Sequence, residues 1–186
     1  IEGDIDSSKT MLNRIIDSNP EKIEAYKQLG FIALEEKDYN EVLRMFTKIS
    51  EHRHLQTTER EAIGDAYFHK NDFKNAYAAY IGAQGSITRH SYGLFTKIVN
   101  SALLQKDYAS ALHWLTSNRN KMDQMICSNA DSIEGLRCQV LEKTLDDYTY
   151  TGKFPNIIPH VDVDFMFSGQ EKEDMIKPLK EYIGLQ

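Results

Sequence analysis

Two short arrangements in the sequence carry residue types suited to metal chemistry. Asp162 and Asp164 follow Pro155 and Pro159 and alternate with Val161, Val163, Phe165 and Phe167. On an extended backbone residues i and i+2 share a face, so both carboxylates could reach one hard cation. The same alternation describes the polar side of a half-buried strand, and that is the reading adopted. His52-Arg53-His54 brings two imidazoles close together. In a polar turn between helices they are read as solvated rather than as a ligand pair. His69, His90, His113 and His160 have no partner at ligand spacing. Tyr148-Thr149-Tyr150-Thr151 offers hydroxyls for phosphorylation, but reads as a frayed helix end. There is no Gly-rich phosphate loop, Cys-x-x-Cys or His-Glu-x-x-His. With no converging nucleophile, base and donor, the expectation is a non-catalytic chain with no metal and no cofactor.

The stronger signal is a period. Gly64, Ala66 and Tyr67 precede a polar turn at Lys70-Asn71-Asp72, then an aromatic at Phe73 and a small residue at Ala76. The order recurs 34 residues upstream as Gly30, Ile32, Ala33, Lys37-Asp38, Tyr39 and Val42. It returns 35 residues downstream as Lys106-Asp107-Tyr108 and Ala111, with Val99 in the glycine position. A fixed period of this length implies stacked helical hairpins. A glycine where two helices cross lets the ridges of one enter the grooves of the other. Tyr39, Phe73 and Tyr108 are expected to plug the hairpin corners. Phe46, Tyr80 and Leu115, each seven residues further on, fall two turns along the same face.

Composition narrows the function. The chain has 186 residues, 22 Lys and Arg against 28 Asp and Glu, and a formal charge of −6. That balance, with no basic stripe to displace counterions, argues against a nucleic-acid binder. No apolar run is long enough to span a membrane and no leader pattern is present. Cys127 and Cys138 are the only cysteines and are read as buried reduced thiols. The expected location is the cytoplasm.

The repeat resembles the tetratricopeptide repeat (TPR), a helix, a short turn and an antiparallel helix, over about residues 3–118. The resemblance implies an all-α, right-handed superhelical solenoid that binds a protein or peptide partner. In that family the first helix of each unit lines a concave groove. Carried onto this sequence, the groove set is Lys27, Phe31 and Leu34, then Glu61, Asp65 and Phe68, then Asn100 and Leu103. Such a trough, mixed apolar and acidic, suits a peptide with apolar anchors and positive charge. The competing reading is that the chain's own C-terminal tail or neighbouring repeats fill the trough. The expected function is a protein–protein interaction or scaffold segment. The alternative is a regulatory or substrate-docking region fused to an enzyme, signalling or export domain outside this stretch.

Three segments complete the sequence reading: repeats over 1–122, a capping helix within 123–151 and an irregular extension over 152–186. Gly3-Asp4-Ile5 aligns with the hairpin turn, so residues 5–18 read as a second helix lacking its first, in a piece of a longer protein. Thr57 or Thr58 is expected to cap the helix that follows, with Thr58 and Glu61 at capping-box spacing. A helix is expected over about 131–150, a strand-like stretch over 161–167, and a short final helix ending at Gly184. Phe154 and the apolar residues of 161–167 are too many for a solvated terminus, so loss of 152–186 is expected to expose apolar surface.

Overall fold

The computed structural model describes residues 2–84, 92–124, 133–153, 177 and 180–184, and among these the regular structure is entirely helical. Ahead of a short C-terminal turn of helix, the helices among the described residues follow in order: α1 (Glu2–Ser18), α2 (Ile23–Glu35), α3 (Tyr39–His52), α4 (Thr57–His69), α5 (Phe73–Gly82), α6 (Tyr92–Leu104), α7 (Tyr108–Gln124) and α8 (Ile133–Thr151). They fall into two compact units, Ile1–Gly85 and Ser86–Gln186. The strand-like stretch at 161–167, with Asp162 and Asp164, lies outside the described residues, as do Cys127 and the side chain of Cys138, whose backbone is part of α8.

Three helix–turn–helix hairpins, α2–α3, α4–α5 and α6–α7, share one turn. The residue before each turn aspartate has a positive φ: 61° at Lys37, 60° at Asn71 and 66° at Lys106. This left-handed step ends the first helix. The aspartate N–H then reaches back five residues, from Asp38 to Ala33 O at 2.8 Å, Asp72 to Tyr67 O at 2.9 Å and Asp107 to Ala102 O at 2.8 Å. Each aspartate also starts the next helix. Its Oδ1 accepts from the backbone N–H three residues on, at 3.1 Å from Glu41, 3.2 Å from Asn75 and 3.1 Å from Ser110. One Asp therefore joins two helices by capping the second as it completes the end of the first.

Within the first unit α1 packs on α2, α3 packs between α2 and α4, and α4 also touches α2. The core is built from Leu12, Tyr26, Leu29, Val42, Met45, Phe46 and Ile49, with Ala25, Ala33, Ala62 and Ala66 at the tighter approaches. Leu12 sits where the period aligns it with Phe46, and it is buried as that alignment requires. The turn expected at Gly3-Asp4-Ile5 does not form, because α1 is already helical from Glu2. In the second unit α6 pairs with α7, and α8 packs on α7 and reaches α6. Ile98, Val99, Ala102, Ala111, Leu115, Val140 and Leu145 are buried there. Helix α8 matches the helix expected over 131–150 to within two residues. The final helix is present over residues 180–183 and ends at Gly184, whose φ is 81°.

Two local expectations are corrected. Helix α4 begins at Thr57, with Gln56 rather than Thr57 or Thr58 at its N-cap, and the residue that reaches back is Glu59, not Glu61. Glu59 accepts from Gln56 N–H at 2.8 Å. The expected box was two residues too far along the chain, because Glu59, not Glu61, is held by Arg53, which sequence spacing alone does not reveal. The corner aromatic also varies. Tyr39 stacks on His69 at 4.8 Å between ring centroids, and Phe73 meets Phe68 edge-on at 5.3 Å. Tyr108 is 46% exposed and does not plug its corner.

Candidate functional site

The residues expected to line a groove stand on first helices, and their neighbours on second helices determine what each can offer. The contact between the two begins at the glycine. A Cβ built on Gly30 would fall 2.9 Å from Phe46 Cζ, and one on Gly64 would fall 2.9 Å from Tyr80 Cζ and closer still to Cε1 and Cδ1. Carbon atoms in ordinary contact lie at about 3.5–4.0 Å. The aromatic ring of the second helix therefore occupies the volume of the missing side chain. In the third hairpin the same two positions hold Val99 and Leu115, both fully buried. A larger side chain on the first helix accompanies a smaller one on the second, which conserves the volume at the crossing.

The residue after each of these positions was expected to face the groove, and it is committed to the same contact in the first two hairpins. Phe31 meets the Phe46 ring edge-on at 5.3 Å between centroids. Asp65 accepts from the Tyr80 hydroxyl, Oη to Oδ1, at 2.7 Å. The third residue of the series, Asn100, is buried at 1% exposure. An aromatic edge in one hairpin and a charge-assisted hydrogen bond in the next thus occupy one repeat position.

Of the remaining groove set, Leu34 is half-buried against the core of the first unit. Phe68 packs on Phe73 and on His69, closing its own hairpin. Leu103 is buried, at 6% exposure. Lys27 on α2 and Glu61 on α4 are half-buried. Six of the eight residues belong to the first unit. Asn100 and Leu103 are covered within the fold and present little surface to a partner.

A polar cluster missed by the sequence reading lies where α3 passes into α4. Glu59 is fully buried, and its carboxylate accepts from Arg53 twice, at 2.8 and 2.6 Å, as well as from Gln56 N–H. Arg53 also donates to His54 O at 2.8 Å. The two-pronged guanidinium satisfies both carboxylate oxygens. These bonds to Arg53 hold the Glu59 carboxyl below the usual glutamate range, against the opposing effect of burial. Nearby Lys27 acts in the same direction. Arg53 is what makes the His52-Arg53-His54 stretch structural, while both histidines are exposed. The only sequence cue was a Glu at the third helical position.

The hydrogen-bonding groups described above serve turns, caps and helix crossings. Among the described residues no group of three His, Cys, Asp or Glu side chains is placed to hold a metal ion. No described helix is long and apolar enough to cross a membrane. Neither a protein-family model nor a curated protein sequence matches the chain.

Proposed function

We propose that the chain is a non-catalytic protein-interaction segment built from TPR-like hairpins that coil into a right-handed superhelix. In this reading the inner faces of α2 and α4 receive a peptide or a segment of a partner protein. The observation that carries it is the thrice-repeated hairpin turn at the sequence period of the family it resembles, with α2 and α4 in contact inside one unit. A surface made from successive first helices is the binding device such arrays offer. Partner recognition then rests on the half-buried charges Lys27 and Glu61 flanking the apolar edges of Phe31, Leu34 and Phe68. Asp65 contributes through its fixed bond to Tyr80 rather than as a mobile ligand.

The fitting occupant is an extended peptide with apolar anchors and a basic flank, favoured by the net negative charge of the chain. Its association should weaken as salt rises, because charges at a solvated rim are screened within about 10 Å at 0.1 M ionic strength. Fluorescence anisotropy against matched libraries, one apolar and basic and one apolar and acidic, tests the reading. The basic set should bind, and Glu61→Lys should weaken that binding about tenfold while Lys27→Glu strengthens it. Equal binding of both libraries, or no effect of either substitution in equally folded protein, would rule out this face.

A further inference from the structure

Helix α8 is followed by a left-handed residue, Gly152 at φ 69°, as α4 is followed by Asn71. It touches α6 and α7 within its unit just as α4 touches α2 and α3 within the other. These are the marks of a first helix in a hairpin. Its partner comes from later in the chain. Tyr182, on the helical turn over 180–183, donates its hydroxyl to Asp147 Oδ2 at 2.5 Å across 35 residues of sequence.

The bond matches the one inside the second hairpin, where Tyr80 donates to Asp65. Asp65 stands four residues before the last residue of α4, and Asp147 stands four before the last residue of α8. The carboxylates therefore hold the same place relative to their helix ends. Lys143 closes the cluster, with Nζ 3.2 Å from Asp147 Oδ1 and 5.0 Å from the Tyr182 ring centroid. It neutralises the carboxylate and lies over the face of the phenol.

We infer that residues 180–183 form a strap that stands in for the second helix of a fourth hairpin, with the Tyr182–Asp147 hydrogen bond as its latch. The strap closes the C-terminal half of α8 with the chain's own residues. Any further helix that docks on this part of α8 must first displace it.

Hydrogen exchange resolved by peptide, on the full chain, tests the latch. Tyr182→Phe and Asp147→Asn should each speed exchange about tenfold in 180–184 and in the last turns of α8, with α6 unchanged, since the first removes the hydrogen bond and the second its charge assistance along with the Lys143 pair. The double variant should fall short of the product of the two single effects, because both act on the same bond. Tyr150→Phe, at a phenol 93% exposed, is the control and should leave exchange as it was. Unchanged exchange in both single variants overturns the inference. So do effects that multiply in the double variant, or a rise that is equal along α6 and the strap.

Discussion

Exchanging the crossing pair of the second hairpin for that of the third gives a quantitative check on the repeat. Gly64→Val alone forces a branched side chain into the ring of Tyr80, where even a Cβ would lie 2.9 Å or less from three ring carbons. Overpacking of this kind costs about 1–3 kcal/mol, and the better helix propensity of Val over Gly returns only about 0.3 kcal/mol. Tyr80→Leu alone leaves part of the ring volume empty and removes the hydroxyl bond to Asp65, a loss of about 2–4 kcal/mol. Together the two substitutions recreate the Val99 and Leu115 pair. The valine fills the space vacated by the ring, so the double variant should be more stable than the sum of the singles by about 1–3 kcal/mol. Urea unfolding of all four proteins, followed by circular dichroism, gives the coupling. Peptide-resolved hydrogen exchange over α2–α5 confines it to the first unit. Additivity within about 0.5 kcal/mol would mean that Gly64 and Tyr80 do not share one volume, and the crossing as described would be wrong.

The turns and the buried ion pair give further expectations. Lys37→Gly and Lys106→Gly should each stabilise their hairpin by about 0.5–1 kcal/mol, with Asn71→Gly gaining less, because a left-handed φ strains lysine more than asparagine. Thermal melts that fall in both lysine variants would contradict that account. Arg53→Ala should cost about 3 kcal/mol at pH 7 by leaving Glu59 buried without its guanidinium. The Glu59 carboxyl is held below its ordinary value of 4.5, so its stabilisation is complete above that pH and disappears as pH falls through the lowered value. The stability gap between the parent and Glu59→Gln should therefore narrow steadily on acidification below about pH 4.5. A gap that is constant from pH 7 to pH 3 would show that the pair does not titrate as described.

The legible part of the sequence was what repeats. The three turn aspartates recur because one backbone geometry requires them, Gly30 and Gly64 because an aromatic ring fills the place of their side chain, and the helices fall where that period puts them. Side-chain exchange within a repeat position was less legible. Phe31, Asp65 and Asn100 have unlike chemistries, and only the folded structure shows the first two meeting Phe46 and Tyr80. The groove reading offers Phe31 and Phe68 as surfaces for apolar anchors, whereas both already have aromatic partners inside their hairpins. The start of α4 was misplaced because threonine is a common cap, while burial of Glu59 depends on Arg53 from the preceding helix end. The strap was illegible for a different reason: Asp147 and Tyr182 are joined across 35 residues with no period between them.

The most direct test of the interaction proposal is hydrogen exchange over the first unit with and without a saturating apolar, basic peptide. Binding at the inner face predicts new protection in α2 around Lys27 to Leu34 and in α4 around Glu61 to Phe68, with α3 and α5 little changed. Protection concentrated on α3 and α5, or exchange identical with and without a peptide known to be bound, would contradict the central claim.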